Sequence, residues 1–266
     1  MGEPQVLATG LTFPEGPVLA PDGETLYCVN IEAHVLSRLD LRTRALTRNW
    51  VTLPDDGRGN GATLGPDGAL YVADVGARRI VRVGLPDGPV TTVADRTDMG
   101  IPLRGPNDLI FDADGAILFT DPAGSWDEPL GCVYRIAPGS RVAAKVADGL
   151  RFPNGLVLSP DGVILYVAET PLRRVLAFDL PTGARRVFAA VGEAGGPDGM
   201  RLAPDGSLYV ALFGDGCVAE VSPSGEVVRR LPVPGGKNVT NLCFAPDARS
   251  IYVTEAESGT IVQVPL

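Results

Sequence analysis

The sequence predicts an all-β fold, a six-bladed β-propeller with four-stranded antiparallel blades around a central channel, in a single domain spanning residues 1–266. Three observations predict it: one phrase recurs six times, strand-like runs follow each copy, and helical periodicity is absent. The composition agrees, because 33 Gly and 24 Pro among 266 residues favour turns between short strands over helices.

The recurring phrase is a tight turn followed by an apolar strand. Its copies read APDGETLYCVN, GPDGALYVAD, DADGAILFTD, SPDGVILYVAE, APDGSLYVAL and APDARSIYVTE. The turn aspartates are Asp22, Asp67, Asp114, Asp161, Asp205 and Asp247, which gives spacings of 45, 47, 47, 44 and 42 residues. Asp and Gly suit such turns through side-chain bonds to the backbone and tolerance of positive φ. A period near 45 residues is typical of a propeller blade.

Each repeat holds about four strands. A short apolar run precedes the turn, and further β-type runs such as RIVRVGL and RVLAFDL follow the second strand. The N-terminal run PQVLATG is then left over. We expect it to lie beside the C-terminal TIVQVPL as an outer strand, which would close the ring and cover open sheet edges.

The residue seven positions before each turn aspartate is polar in all six repeats. These residues are Glu15, Asn60, Asn107, Asn154, Asp198 and Thr240. Because the innermost strands line the channel of a propeller, equivalent positions at their starts form a ring facing one axis. A wet channel would also account for polar residues. Two carboxylates aimed at one axis argue against that reading, because they repel each other unless a cation compensates them.

The ring residues predict one bound divalent ion. The carboxylates of Glu15 and Asp198, with the amide oxygens of Asn107 and Asn154, suit a hard cation. Ca²⁺ is favoured, and Mg²⁺, Mn²⁺ and Zn²⁺ are the alternatives. No Cys or His cluster in the sequence favours zinc.

The loops around the ring are expected to frame one mouth. Loops that enter the first strand of a blade lie at the same end as loops that join its second and third strands. The first set supplies Phe13, Met99, Arg104 and Phe152, and the second supplies His34 and Trp126.

Composition limits the partners. A formal charge of -9 and a pI near 4.7 would repel a phosphate backbone, so nucleic acid is not expected. No apolar stretch reaches the roughly 18 residues that span a bilayer, and the start MGEPQVLATG lacks the features of a secretory signal. We therefore expect a cytoplasmic protein, a monomer or weak dimer, that acts on a small molecule away from membranes. Four cysteines without CxxC spacing are expected to be reduced.

Four motifs resemble those of the senescence marker protein, gluconolactonase and luciferin-regenerating enzyme family of six-bladed propellers. They are FPEGPVLAPDG at 13–23, GPNDLIFDADGAILFTDP at 105–122, FPNGLVLSPDG at 152–162 and PDGMRLAPDGSLYVA at 197–211. The likeness runs over nearly the whole chain. It implies a single divalent metal and hydrolysis of a lactone.

The resemblance also implies roles for particular residues. Glu15, Asn154 and Asp198 match the three protein ligands of the family's metal, and Asn107 matches an asparagine that joins the metal shell or contacts substrate. Asp198 would also act as the general base or assist attack on the substrate. Trp126 resembles an aromatic residue often found at the mouth.

The sequence departs from the family pattern near the mouth. Leu19 stands where members often carry Trp, and Pro102 stands where a substrate-contacting Arg is expected, with Arg104 nearest. The expected substrate contacts are Phe13, Asn60, Arg104, Asn107, Trp126 and Phe152. The apolar residues expected at the mouth are Phe13, Met99, Ile101 and Phe152. Together these features favour a lactone or ester less polar than a sugar-acid lactone.

The predicted function is metal-dependent opening of a lactone ring, in which the cation polarises the carbonyl and Asp198 assists the attack of water. A Ser-His-Asp mechanism is excluded, because His34 is the only histidine and no GxSxG motif occurs. Three alternatives stay open: hydrolysis of another ester or a phosphotriester, a non-hydrolytic biosynthetic reaction on the same scaffold, and a metal-bound propeller that only binds its ligand.

Overall fold

The protein, seen in a computed structural model, consists of six antiparallel sheets of four strands each. The structure describes residues 2–122 and 124–266. Within them the chain forms 24 strands. The predicted six-bladed propeller is confirmed.

The strands follow one another along the chain from the inside of each blade to its outside. Blade 1 contains β2 (Pro14–Leu19), β3 (Thr25–Asn30), β4 (Val35–Asp40) and β5 (Leu46–Thr52). Blade 2 contains β6 (Gly59–Leu64), β7 (Leu70–Asp74), β8 (Arg79–Val83) and β9 (Val90–Ala94). Blade 3 contains β10 (Leu109–Phe111), β11 (Ile117–Asp121), β12 (Gly131–Ile136) and β13 (Ala144–Leu150).

The second half of the ring repeats this order. Blade 4 contains β14 (Pro153–Leu158), β15 (Ile164–Glu169), β16 (Arg174–Asp179) and β17 (Arg185–Ala190). Blade 5 contains β18 (Gly196–Leu202), β19 (Leu208–Phe213), β20 (Cys217–Val221) and β21 (Val227–Pro232). Blade 6 contains β22 (Val239–Phe244), β23 (Ser250–Glu255), β24 (Thr260–Pro265) and, as its outer strand, β1 (Gln5–Ala8).

The two ends of the chain close the ring. Strand β1 pairs antiparallel with β24, with Gln5 opposite Gln263 and Val6 opposite Val262. The outer edge of blade 6 is therefore covered by the N-terminal strand. This confirms the predicted pairing of PQVLATG with TIVQVPL.

The repeated turns use the predicted Asp chemistry. In blade 1, Asp22 Oδ1 accepts hydrogen bonds from the backbone N–H groups of Glu24 at 2.8 Å and Thr25 at 2.9 Å. In blade 5, Asp205 Oδ1 accepts one from Ser207 at 2.9 Å. These turns lie at the ends of the inner strands, on the opposite side of the propeller from the ring residues.

The core is divided among the interfaces between blades. Each of six buried apolar clusters joins two neighbouring blades, and together they run around the whole ring. Between blades 1 and 2, for example, Leu36 packs in one cluster with Val72 and Val81. Cys28 and Cys243 lie in the cluster between blades 6 and 1, and all four cysteines are free thiols, as predicted.

Helical structure in the described residues is limited to one turn of 3₁₀ helix, Thr170–Leu172. Nowhere in residues 2–122 or 124–266 is there a helix with the length and apolar character needed to cross a membrane.

Candidate metal centre and substrate pocket

Five of the six ring residues line one cavity of about 190 Å³ at the mouth of the channel. They are Glu15, Asn60, Asn107, Asn154 and Asp198. The sixth, Thr240, is fully buried, and its hydroxyl donates a hydrogen bond of 2.8 Å to the carbonyl of Pro14. The expected contribution of Thr240 to the ring is therefore wrong, because its short side chain is satisfied by the backbone of blade 1.

The four predicted metal ligands are buried side chains at the starts of inner strands. They are Glu15, Asn107, Asn154 and Asp198, each less than 9% exposed. Asn154 Nδ2 donates to Thr170 Oγ1 at 3.3 Å, which orients the amide. The Oδ1 atom of Asn107 is buried and has no hydrogen-bond partner among the described residues. A buried carbonyl oxygen without a partner is costly, and it fits a site that a cation fills.

Glu15 is held by its neighbours through one oxygen. Its Oε2 accepts hydrogen bonds from the N–H of Gly16 and from Asn241 Nδ2, the latter at 3.0 Å. Because both bonds go to Oε2, the second carboxylate oxygen has no part in them.

Burial and like charge perturb both carboxyls of the ring. Burial, with the charge of Asp108 added, raises the pKa of Glu15 to about 8. Burial, followed by the charges of Glu15 and Asp108, raises the pKa of Asp198 well above its ordinary value. Hydrogen bonds from Asn241 and Asn154 act in the opposite direction on Glu15 and Asp198 respectively. A divalent cation between the two carboxylates would remove much of this electrostatic cost.

A second polar layer lies directly beneath the ring. The residue after each ring position is Gly in four blades, but it is Asp108 in blade 3 and Asn241 in blade 6. Both side chains are 1% exposed and occupy space that the glycines leave open. A Cβ on Gly61 would lie 2.3 Å from Asp108 Oδ1, and one on Gly199 would lie 2.0 Å from Asn241 Cγ. We call Asp108 and Asn241 the floor of the site.

The floor contains a third buried acid that was not predicted. Burial raises the pKa of Asp108, and the nearby guanidinium of Arg201 opposes the rise. Arg201 lies three residues after Asp198 on β18, and its charge also lowers the pKa of Glu15. With all three carboxyls ionised, the three carboxylates and one arginine would leave two negative charges in excess, which a divalent cation would balance.

The walls of the cavity are aromatic. Phe13 and Phe213 stack with ring centroids 6.1 Å apart, and Trp126 meets Phe152 edge to face at 5.2 Å. All four aromatic side chains line the same cavity as the five polar ring residues of the channel mouth. The predicted placement of Phe13, Trp126 and Phe152 around one pocket agrees with this arrangement.

A wider outer recess of about 390 Å³ adjoins the cavity and shares Phe13, Asn60, Asn107 and Phe152 with it. Arg104 lies along this recess rather than in the inner cavity. Its backbone N–H donates to Asp121 Oδ2 at 2.9 Å, and its Nη1 donates to the carbonyl of Leu130 at 3.3 Å. Arg58 flanks the same recess from blade 2.

Two expected residues of the apolar mouth lie elsewhere. Met99 is 82% exposed and Ile101 is 55% exposed, and neither contributes to the described lining of the inner cavity or the outer recess. Phe213 and Thr170 line the inner cavity instead. Phe213 is the last residue of β19, and Thr170 directly follows β15. Neither residue was predicted to line the pocket.

The donor set is unlike a zinc cluster. Among residues 2–122 and 124–266, no three side chains of His, Cys, Asp or Glu are grouped as metal ligands. The candidate centre combines two carboxylates with two asparagine amides, and such oxygen donors are those of hard divalent cations.

Known proteins resemble this chain over nearly its whole length. Residues 13–257 match the family described as SMP-30/Gluconolactonase/LRE-like region. The chain is 28% identical to a gluconolactonase from Zymomonas mobilis, with 96% of this chain and 79% of the relative covered. It is 34% identical to a pentonolactonase from Haloferax volcanii, covering 95% and 84%. It is 29% identical to diisopropyl-fluorophosphatase from Loligo vulgaris, covering 93% and 87%.

Solved structures agree over almost the entire chain. A gluconolactonase from Xanthomonas campestris superposes with a TM-score of 0.86 at 28% identity, covering 99% of this chain and 89% of that one. A calcium-binding protein, regucalcin, from Agrobacterium tumefaciens superposes with a TM-score of 0.83 at 25% identity, covering 98% and 92%.

Proposed function

Because the chain belongs to the SMP-30/gluconolactonase/LRE-like family, we propose that it is a divalent-metal-dependent hydrolase that opens a lactone ring. One observation carries the proposal: two buried carboxyls, Glu15 and Asp198, share a small cavity with the unpartnered amide oxygen of Asn107. The broader activity is hydrolysis of lactones or related esters, and the named relatives include two lactonases and a fluorophosphatase.

Glu15, Asn154 and Asp198 would hold the cation, with Asn107 as a fourth oxygen donor. Ca²⁺ is favoured, because all four donors are oxygens and the cavity has no His or Cys in its described lining. The calcium-binding relative supports the same choice. The ligands come from blades 1, 3, 4 and 5, so the centre would connect much of the ring.

When bound, the cation supplies a Lewis acid that polarises the lactone carbonyl and stabilises negative charge on its oxygen. The chain supplies the rest. Asp198 orients the attacking water or takes its proton. Asn107 lines the same cavity and its Oδ1 has no hydrogen-bond partner among the described residues, so this oxygen would be available there, and the aromatic walls would limit the access of bulk water to the reacting centre.

The test combines metal analysis with an activity assay. We expect native mass spectrometry and elemental analysis of the purified protein to find one divalent ion per chain. In a pH-indicator assay over a panel of lactones, we expect acid release that a chelator abolishes and added Ca²⁺ restores. A bound ion without turnover of any lactone would contradict the proposed hydrolysis and favour a binding role. Absence of any ion would contradict the metal centre.

Phosphotriester hydrolysis is the second candidate. It is favoured by the relative from Loligo vulgaris and by chemistry, because the same oxygen donors would polarise P=O as readily as C=O. Assaying a phosphotriester and a dialkyl fluorophosphate, which loses fluoride, beside the lactone panel compares these activities. A larger kcat/KM for either phosphorus compound than for the lactones would make it the preferred substrate class.

A further inference from the structure

Building on the proposed lactone hydrolysis, on which this inference rests, we propose that the preferred substrate is a lactone carrying a flat apolar substituent. The substituent would lie between the two aromatic pairs, Phe13 with Phe213 and Trp126 with Phe152, while the lactone carbonyl faces the ring residues. Polyhydroxylated lactones would be poorer substrates.

The first observation is backbone strain at two equivalent positions. Phe13 and Phe152 each lie two residues before a ring residue, and both have positive φ, 56° and 39°. A left-handed backbone is unfavourable for a bulky side chain, and such strain concentrates at functional sites. The same conformation in two different blades aims two phenylalanines at one cavity. The packing of a blade does not require a phenylalanine at this position, because the equivalent residues in blades 3 and 5 are Gly105 and Gly196.

The second observation is the distribution of polar atoms in the cavity. Its polar groups are concentrated in the ring, and four aromatic rings form the walls. Outside the candidate ligands, Asn60 and Thr170 are the polar residues of the described lining. Thr170 Oγ1 already donates to the carbonyl of Pro197 at 2.8 Å and accepts from Asn154 at 3.3 Å. Outside the candidate ligands, Asn60 is then the polar side chain of the described lining left to pair with a buried sugar ring, so most of the hydroxyls on that ring would lose water without gaining partners.

The third observation is size. A dry cavity of about 150 Å³ is enough for benzene, so the inner cavity of about 190 Å³ suits one small ring and part of another. Atoms beyond that volume would extend into the outer recess, which shares Phe13 and Phe152 with the inner cavity. A single aromatic or cycloalkyl substituent on a lactone ring matches the combined space.

Three six-membered lactones test the inference: one unsubstituted, one with a phenyl substituent and one with several hydroxyls. We expect kcat/KM for the phenyl lactone to exceed that for the unsubstituted lactone by about tenfold or more, and the hydroxylated lactone to be the poorest. A preference for the hydroxylated lactone would overturn this inference and leave lactone hydrolysis intact. Failure with all three would overturn the proposed function, and the inference with it.

Asn substitutions connect the preference to the walls. Asn tolerates positive φ, so Phe13→Asn and Phe152→Asn remove an aromatic ring without adding strain. We expect the ratio of kcat/KM for the phenyl lactone over the unsubstituted one to fall to less than about threefold in each variant. Ala248→Asn is the matched control, because Ala248 also has positive φ, 53°, but lies in an exposed turn. An unchanged ratio in both Phe variants would overturn the inference.

A binding measurement keeps the test independent of folding yield and turnover. Trp126 is half-exposed beside Phe152, so a phenyl-substituted cyclic ether that cannot be hydrolysed should change its fluorescence. A Trp50→Phe background removes the other tryptophan. We expect saturable binding of the phenyl ether that is at least about tenfold tighter than that of the unsubstituted ether. Equal affinities would contradict an aromatic subsite.

Discussion

At the scale of single residues, the site depends on side chains that the ring register does not include. The repeat predicts Glu15, Asn107, Asn154 and Asp198 correctly as neighbours, because equivalent positions in a closed ring of blades must converge. The repeat does not predict the floor. The floor residues occupy the position directly after a ring residue, and they are recognised only because the other four blades have glycine there. Asp108 and Asn241 are the two floor residues.

Asp198 offers the most direct test of catalysis. In Asp198→Asn the side chain keeps its size and one oxygen donor but loses its charge and its basicity. We expect metal binding to weaken yet remain measurable, and lactone hydrolysis at saturating metal to fall by about 10²-fold, within the usual contribution of a positioned base. Calorimetry and the pH-indicator assay measure the two effects.

Asp205→Asn is the control for that experiment, because Asp205 lies on the same blade in a turn at the opposite end. Its activity should match that of the unaltered protein. Unchanged hydrolysis in Asp198→Asn would remove Asp198 from the mechanism.

Asn241 is predicted to position Glu15. Its Nδ2 donates to Glu15 Oε2 at 3.0 Å, and its own Oδ1 accepts the N–H of Leu242 at 2.8 Å, so the amide has a fixed orientation. In Asn241→Ala we expect metal affinity to fall about 10- to 100-fold, as for other partners of metal ligands. Titration of metal-free protein with Ca²⁺ measures this.

Activity at saturating Ca²⁺ distinguishes a role of Asn241 in positioning Glu15 from a general loss of the site structure. If Asn241 only positions Glu15, saturating Ca²⁺ should restore most of kcat in Asn241→Ala. Asn49→Ala, on the exposed outer strand β5, should leave Ca²⁺ affinity unchanged. An affinity in Asn241→Ala equal to that of Asn49→Ala would refute the positioning role.

At the scale of elements, buried threonines connect one blade to the next near the ring. Thr120 of β11 donates to the carbonyl of Asn154 at 2.8 Å, as Thr170 and Thr240 do to the carbonyls of Pro197 and Pro14. Each bond fixes the backbone at a ring position or directly before it. The alternation of apolar and polar residues predicts where the strands lie, but it does not predict these contacts. The position of a threonine in an apolar strand does not identify the carbonyl that its hydroxyl bonds.

Thr120→Val should lower the free energy of unfolding by removing hydrogen bonds that hold the backbone of the site. The substitution keeps the shape but leaves the carbonyl of Asn154 without its hydroxyl donor, and Thr120 Oγ1 also accepts the N–H of Asp108 at 3.1 Å. Leaving such buried groups unpaired costs about 1–3 kcal/mol, which chemical denaturation should detect as a lower free energy of unfolding. Thr47→Val, on an exposed part of β5, should change it by less than about 0.5 kcal/mol. Equal stabilities of the two variants would contradict the role of Thr120.

Two residues of the pocket, Thr170 and Phe213, lie at the ends of second strands. Thr170 and Phe213 follow Glu169 and Leu212, which lie opposite Pro153 and Pro197 in their blades. Both prolines directly precede ring residues. Reading this second position around the ring would have found two residues of the pocket. Met99 and Ile101 were wrongly expected there, because a place in a loop at the mouth does not determine which side chains turn inward.

At the scale of the whole molecule, six apolar interfaces and the pairing of β1 with β24 hold the ring closed. Turn spacing and strand periodicity predict this architecture almost completely, since both are local in sequence. The proposed ligands come from four blades, so a bound ion would connect sheets that are far apart in the chain.

Calcium should therefore stabilise the entire fold. With free Ca²⁺ at 100 times its Kd, the stabilisation is about 2.7 kcal/mol, which corresponds to a rise in Tm of about 5 °C or more. Thermal unfolding with chelator and with Ca²⁺ measures this. Glu15→Gln should reduce the rise. No rise with the unaltered protein would contradict the metal centre.

The effect of calcium should grow with pH. In metal-free protein the pKa of Glu15 is raised from 4.5 to about 8, so the folded state binds this proton more tightly than the unfolded state. The resulting stability is present below about pH 4.5 and is lost as pH rises toward 8. Ca²⁺ competes with that proton, so the rise in Tm should be larger at pH 8 than at pH 5. A larger rise at pH 5 would contradict this linkage.

The floor beneath the ring also has a consequence for how a product would leave. Asp108 and Asn241 are each only 1% exposed and pack closely against Gly61 and Gly199, so buried side chains fill this side of the cavity. In the proposed hydrolysis, substrate and the ring-opened hydroxy acid would share the mouth lined by the aromatic residues, and the acid would compete there with the next substrate. We therefore expect product inhibition. Arg58 and Arg104 line the adjoining recess, so their positive charge would attract the product carboxylate away from the acidic ring residues.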